Sequence, residues 1–152
     1  MTDLLQVFLL AMTPVGELRL SIPVGLIVFN LNPALVFIVS VAGNMVPAIF
    51  ILLGLDKIAD YCATKPNPFG RLLSWWKNNT KTKHSQKIEK YGIMGLVIFV
   101  AIPFPITGAY TAALLAAILN LPAKKSLVAI FAGVLLAGSI VTTAIKLGFL
   151  IF

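Results

Sequence analysis

The sequence predicts an all-α integral membrane protein of two inverted repeats, each a re-entrant helical hairpin followed by a full transmembrane helix, joined by an amphipathic cytosolic segment. Three observations carry this expectation. The 152 residues are 59% hydrophobic and only 11% charged, less than half the roughly 25% charged content of soluble domains. Two uncharged runs are long enough to cross a bilayer, and each follows a pair of half-length apolar runs parted by proline and glycine. The order half-helix, break, half-helix, turn, full span occurs twice. A shift of 90 positions overlays Asn30-Leu31 on Asn120-Leu121 and Gly43 on Gly133. One membrane domain is expected, with repeat 1 at about 4–55, the joining segment at 56–90 and repeat 2 at about 91–150.

The first apolar run, Leu4–Met12, gives roughly 14 Å of helix, about half of a hydrocarbon core of about 30 Å. The break follows at Thr13–Gly16, around Pro14 and Gly16, and the run resumes as Leu18–Phe29 with Pro23 inside it. Proline withholds an N–H and glycine loosens the helix. Either one kinked helix spans the bilayer or two short helices enter and leave by one face. The half-lengths favour the hairpin, whose tip would carry Pro14, Gly16, Glu17 and Arg19 to the midplane. Non-helical backbone is tolerated there only in protein or beside water.

Asn30–Pro33 reads as a turn, with Pro33 suited to the first position of the next helix. Ala34 to about Leu55 is an uncharged full span containing Asn44 and Pro47. Asn44 would either bond the carbonyl freed below Pro47 or line the site at the hairpin tip. Asp56 to Lys90 is the polar segment. Within it Phe69, Leu72, Leu73 and Trp76 fall at i, i+3, i+4 and i+7, the spacing of one apolar helical face lying in the membrane interface. His84 among lysines reads as a solvated residue, and the Asn78-Asn-Thr80 sequon would be idle on the cytosolic side.

The second half repeats the plan: Tyr91–Ile102, a break at Pro103-Phe-Pro-Ile-Thr-Gly108, Ala109–Leu119, a turn at Asn120-Leu-Pro122, then Lys124 to about Phe149. Ala109, Ala113 and Ala117 form one small-residue stripe, Ala112 and Ala116 another, and Gly133, Ala137 and Gly138 add a smooth surface for close packing in lipid. The net charge of +7 is gathered mostly in the central segment, which fits positive-inside topology better than nucleic-acid binding. Lys124 and Lys125 then join that segment in the cytosol, with both termini outside. Six ordinary crossings would place these lysines alike, so charge alone does not separate the two topologies. The single cysteine, Cys62, offers no intramolecular disulfide and no metal-site spacing. A cleaved signal peptide is not expected, because no positive n-region opens the chain.

Gly16-Glu-Leu-Arg-Leu-Ser-Ile-Pro-Val-Gly25, with Tyr91-Gly92 and Ile102-Pro-Phe-Pro-Ile-Thr-Gly-Ala-Tyr-Thr111, resembles the putative small multidrug export protein family, itself distantly similar to the DedA/VTT (SNARE-associated) membrane proteins. The resemblance runs from about Leu4 to Ile145. It implies a prokaryotic inner-membrane protein with two inverted re-entrant hairpins, and, through the DedA/VTT group, movement of polyprenyl phosphate or other lipids with proton coupling. The chain departs from that group in one respect. DedA proteins carry arginines around the second hairpin, whereas Ile102–Thr111 is uncharged here and leaves Arg19 as the only arginine near membrane depth.

The functional expectation follows from the charges. An ionisable side chain at membrane depth is by default a functional one. Glu17 is expected to accept a proton, Arg19 to hold an anionic head group, and Asn44, Thr107 and Tyr110 to supply uncharged hydrogen bonds. Pro14, Gly16, Pro23, Pro103, Pro105 and Gly108 make the breaks that shape the site. The expected function is proton-coupled secondary transport or translocation of a lipid-type substrate between the hairpins. A small-solute or drug exporter and a non-transporting scaffold acting through Lys81, Lys83 and Lys87 are the alternatives. No nucleophile with a base, metal cluster or phosphate loop points to an enzyme, and no cofactor is expected. The expected partners are membrane lipids and a second copy of the chain, since two spans can hardly bury two polar tips alone.

Overall fold

The computed structural model describes residues 2–63, 86–102, 108–119 and 121–148. Thr107, Pro103, Pro105, the interfacial helix expected around Phe69–Trp76, and Lys81 and Lys83 lie outside the described residues. Every regular element among those described is a helix: α1 (Thr2–Ala11), α2 (Glu17–Pro23) continued by a π-helical turn (Val24–Val28), α3 (Pro33–Ala63), α4 (Gln86–Ala101), α5 (Ala109–Ile118) and α6 (Ala123–Lys146). Among the described residues two stretches are long and apolar enough to cross a membrane, Pro33–Gly54 and Ala123–Lys146.

Local chemistry sets the ends. Thr13 closes α1 by donating its hydroxyl to the Leu10 carbonyl at 2.8 Å, and the same oxygen accepts the Gly16 N–H at 3.0 Å. A short hydroxyl bonding nearby backbone competes with the helix ladder and stops it. Pro23 has no N–H for the Arg19 carbonyl, and the helix behind it relaxes into the π turn, where the Phe29 N–H reaches the Val24 carbonyl at 3.1 Å. Asn30 turns the chain at φ 50°. Asn32 then caps α3 through its side chain, 2.9 Å from the Ala34 N–H, with Pro33 as the first helical residue.

Two boundaries differ from the sequence expectation. α3 runs past Gly54 to Ala63, and α4 begins at Gln86 instead of Tyr91. Both ends of the expected polar segment are therefore helical. The charges at Asp56 and Lys90 mark where apolar character ends, and neither is a helix breaker.

The helix contacts come in matched sets. α1 packs on α3 as α4 packs on α6; α2 packs on α3 as α5 packs on α6; α1 meets α2 as α4 meets α5. Across the halves, α3 packs on α5 and α6 packs on α2, while α3 and α6 pack on each other. α1 and α4 end 90 positions apart, at Ala11 and Ala101, and α3 and α6 begin 90 apart, at Pro33 and Ala123. Gly43 and Gly133 perform the same task. A Cβ on Gly43 would stand 2.6 Å from the Phe8 carbonyl oxygen of α1, and one on Gly133 would stand 2.9 Å from the Val97 carbonyl oxygen of α4. The start of α3 and the end of α6 border one groove of about 410 Å³, lined by Phe37, Ile38, Thr142 and Lys146 among others. The start of one long helix thus lies beside the end of the other.

The outer surface is unlike that of a water-soluble protein. Leu5, Ile38, Phe50, Ile98, Val128 and Leu136 face outward, as suits side chains meeting lipid. Inside, large apolar residues such as Val7, Ile22, Leu96 and Ile130 pack with buried alanines around the polar groups Glu17, Ser21, Ser40, Asn44 and Ser126. Ala109, Ala112, Ala113 and Ala116 are fully buried and form one close-packing face, with Ala117 at its margin. The two alanine stripes expected from the sequence are thus one surface.

Candidate functional site

Glu17 opens α2, and its surroundings begin with the break before it. Gly16 is pressed against α1 so closely that a Cβ would stand 2.5 Å from Thr13 Oγ1 and 2.6 Å from the Leu10 carbonyl oxygen. Glu17 itself has φ 43°, in the left-handed region that costs an L-residue roughly 1–2 kcal/mol. The side chain is nonetheless 8% exposed. A strained, buried carboxylate needs partners.

Those partners come from the other half of the chain. α5 starts at Ala109 behind Gly108, and the Tyr110 backbone N–H donates to the Glu17 carboxylate. The space that a Cβ on Gly108 would occupy is filled by that carboxylate. Gly108 is extended, at φ −152° and ψ −176°, which any residue adopts. Room, and not backbone freedom, is what the glycine provides. Thr111 completes the helix start: its Oγ1 accepts the Gly108 N–H at 3.1 Å and donates to the Gly108 carbonyl at 3.2 Å. A helix start carries unpaired N–H groups and a partial positive charge, and here a carboxylate from a distant segment meets them.

Two further ties cross between the halves. The Tyr110 hydroxyl donates to the carbonyl of Met12, the residue after α1. Arg19 Nη2 lies 3.5 Å from the carbonyl of Ile102, the residue after α4. Met12 and Ile102 are 90 positions apart, so each half sends a side chain to the corresponding end of the other. Arg19 and Glu17 also attract each other electrostatically. Ser21 on α2 donates to Ser40 on α3 at 2.9 Å, both fully buried.

Of the residues singled out in the sequence, Glu17, Arg19, Gly108 and Tyr110 come together. Gly16 is buried next to Glu17, Pro23 is buried at the far end of α2, and Pro14 is exposed at the break. Asn44 is buried on α3, and among the described residues no hydrogen bond joins it to Glu17 or Tyr110. Its Oδ1 has no partner there, nor has Ser126 Oγ. The Ser21–Ser40 pair, Thr111 and the Met12 and Ile102 carbonyls were not anticipated. No capping-box pattern announces Thr111, since Gly108 has no side chain, and backbone carbonyls carry no sequence signal at all. Among the described residues no three His, Cys, Asp or Glu side chains gather to hold a metal ion.

Residues 17–140 match the model of a family described as putative small multi-drug export protein, and the chain belongs to that family. No match was found among curated proteins or among solved structures. The family and the two long apolar helices agree on a membrane location and a role in transport.

Proposed function

We propose that this chain is a proton-coupled secondary transporter, or translocase, of a lipid-type anionic substrate such as a polyprenyl phosphate or phospholipid. The observation that carries the reading is the Glu17 carboxylate, buried at the start of α5 and held by groups from the other half. Such a carboxylate has no structural necessity in an apolar bundle, and ionisable groups at membrane depth mark transport pathways and proton relays. Glu17 is the proton acceptor in this scheme, Arg19 the group that draws an anionic head group, and Tyr110 and Asn44 its uncharged neighbours.

The architecture that goes with this function is a pair of re-entrant hairpins, α1–α2 and α4–α5, related as inverted repeats, as in a small relative of the DedA/VTT proteins. The matched helix contacts and the short arms support that arrangement; α1 and α5 have ten residues each, about half a bilayer. Lys124 and Lys125 at the start of α6 and the basic central segment set the cytosolic side of a prokaryotic inner membrane, with the termini outside. A homodimer is expected, and cross-linking in the membrane that yields monomer alone would count against it.

The test is reconstitution into liposomes with an imposed pH gradient, following a short-chain polyprenyl-phosphate analogue and internal pH together. Gradient-driven movement is expected in the wild type and is lost in Glu17→Gln and Arg19→Gln. A second reading, export of small solutes or drugs, is favoured by the family's description. It gains if the lipid analogue stays still while a solute moves with dependence on Glu17. Movement indifferent to Glu17→Gln would remove the site itself.

A further inference from the structure

The transport reading leaves open how a proton and a cargo are coupled, and the charges around Glu17 decide it. Among the described residues two formal charges lie at the site, Glu17 and Arg19. No other charged residue occurs in α2 or in α5. α3 carries none between Pro33 and Gly54, α6 none between Ser126 and Ile145, and α1 only Asp3 near its start. The break from Ile102 to Gly108 is uncharged in sequence, and Tyr110 adds only a neutral phenol. With Glu17 ionised the site is neutral overall. With Glu17 protonated it carries one positive charge. It never carries a net negative one.

Geometry adds a second constraint. The space beside Gly108 and the Tyr110 N–H hold the Glu17 carboxylate itself. An anionic group drawn by Arg19 toward the positive start of α5 meets that carboxylate and is repelled by it while it is charged. We infer that the Glu17 carboxylate is the built-in occupant of an anion seat made by Gly108, Tyr110 and Arg19, so that an anionic cargo and a proton on Glu17 bind together and leave together. The transporter is then a proton–anion symporter. When the proton binds, the carboxyl becomes neutral, its hold on Tyr110 and Arg19 weakens, and the cargo's negative charge replaces its own. When the cargo departs, the proton is released and the carboxylate returns. A cationic cargo would need the opposite toggle, from neutral to negative, which these residues do not supply.

Linkage makes this measurable without knowing the natural cargo. If protonation favours anion binding, anion binding must take up protons by the same factor. The experiment uses the full chain in nanodiscs of zwitterionic lipid, with decyl sulfonate as a permanent anion and tetraphenylphosphonium as a permanent cation. Calorimetry in two buffers of different ionisation heat reports the protons exchanged. The wild type is expected to take up close to one proton per sulfonate bound, with affinity rising about tenfold per unit fall in pH across the titration of Glu17. Glu17→Gln binds the sulfonate at every pH with no proton exchange, and Arg19→Gln weakens it at every pH. Three results would overturn the inference: sulfonate binding in the wild type without proton uptake, no sulfonate binding above that of empty nanodiscs, or phosphonium binding with proton release. The wild-type proton count stands even if a variant fails to fold. Phosphonium binding with proton release, with liposome flux still dependent on Glu17, would remove the symport and leave the transport site in place.

Discussion

The starts of α2 and α5 occupy comparable places after the two breaks, each behind a glycine, and they use that glycine in opposite ways. At α2, Gly16 closes a local turn: Thr13 Oγ1 takes its N–H, and neighbouring atoms of α1 leave no room for a Cβ. The next residue carries a charge and an unfavourable φ. At α5, Gly108 is unstrained, Thr111 takes its N–H, and the empty side of the glycine receives the charge from α2. One half supplies the carboxylate and the other supplies its seat. Two halves with matched helix contacts can therefore carry a single asymmetric site, because shared packing leaves side-chain chemistry free to differ.

The sharpest way to break this comparison is Gly108→Ala. The added Cβ displaces the Glu17 carboxylate, and proton-coupled transport is expected to fall roughly a hundredfold, the scale of about 3 kcal/mol of charge-assisted hydrogen bonding. Flux in liposomes checks it. A silent Gly108→Ala would mean that the carboxylate does not need its seat. The packing glycines test the other side of the comparison, the sameness of the halves. Gly43→Ala and Gly133→Ala are each expected to cost about 1–3 kcal/mol by overpacking, equal within about 1 kcal/mol, as read from denaturant unfolding in detergent. A large difference would break the match between the halves.

Tyr110→Phe removes the hydroxyl that reaches the Met12 carbonyl and keeps the backbone N–H on Glu17. It should cost about 1 kcal/mol of stability and leave proton coupling intact, separating the structural tie from the seat. Ser21→Ala, which breaks the bond to Ser40, is expected to have the smallest effect, about 0.6 kcal/mol as for typical interhelical bonds in membranes. A thermal unfolding series resolves both.

Much of this was legible in the chain because the bilayer limits the choices. Apolar runs of two lengths, prolines between them and two charges in the first break point directly to the helices and to Glu17. Gly108 stood out as the small residue that closes the second break, and Tyr110 as a polar residue just after it. The pairing of Gly108 with Glu17 was not legible, because it depends on α2 and α5 meeting across the halves, and no periodicity encodes which arm faces which. The helices α3 and α4 reach further into the polar segment than expected, because charge reports where a helix leaves apolar surroundings and does not itself stop one. Asn44 could bond a freed carbonyl or line the site by sequence; its Oδ1 is buried without a partner among the described residues.

The π turn at Val24–Val28 has a consequence of its own. A π turn is equivalent to one surplus residue in an α-helical count, and this one separates Glu17 from the anchored turn at Asn30–Pro33. Removing any single residue from Val24–Val28 would let the segment rewind as ordinary α-helix and satisfy its backbone better. Because the π turn absorbs its surplus residue locally, the turns on either side, and Glu17 with them, would keep their phase against that anchor. A single deletion that improves the helix should therefore leave the site working, and a second, with no surplus left to absorb it, should turn Glu17 by about 100° away from Gly108 and disable the site. In that segment the number of residues matters more than their identity.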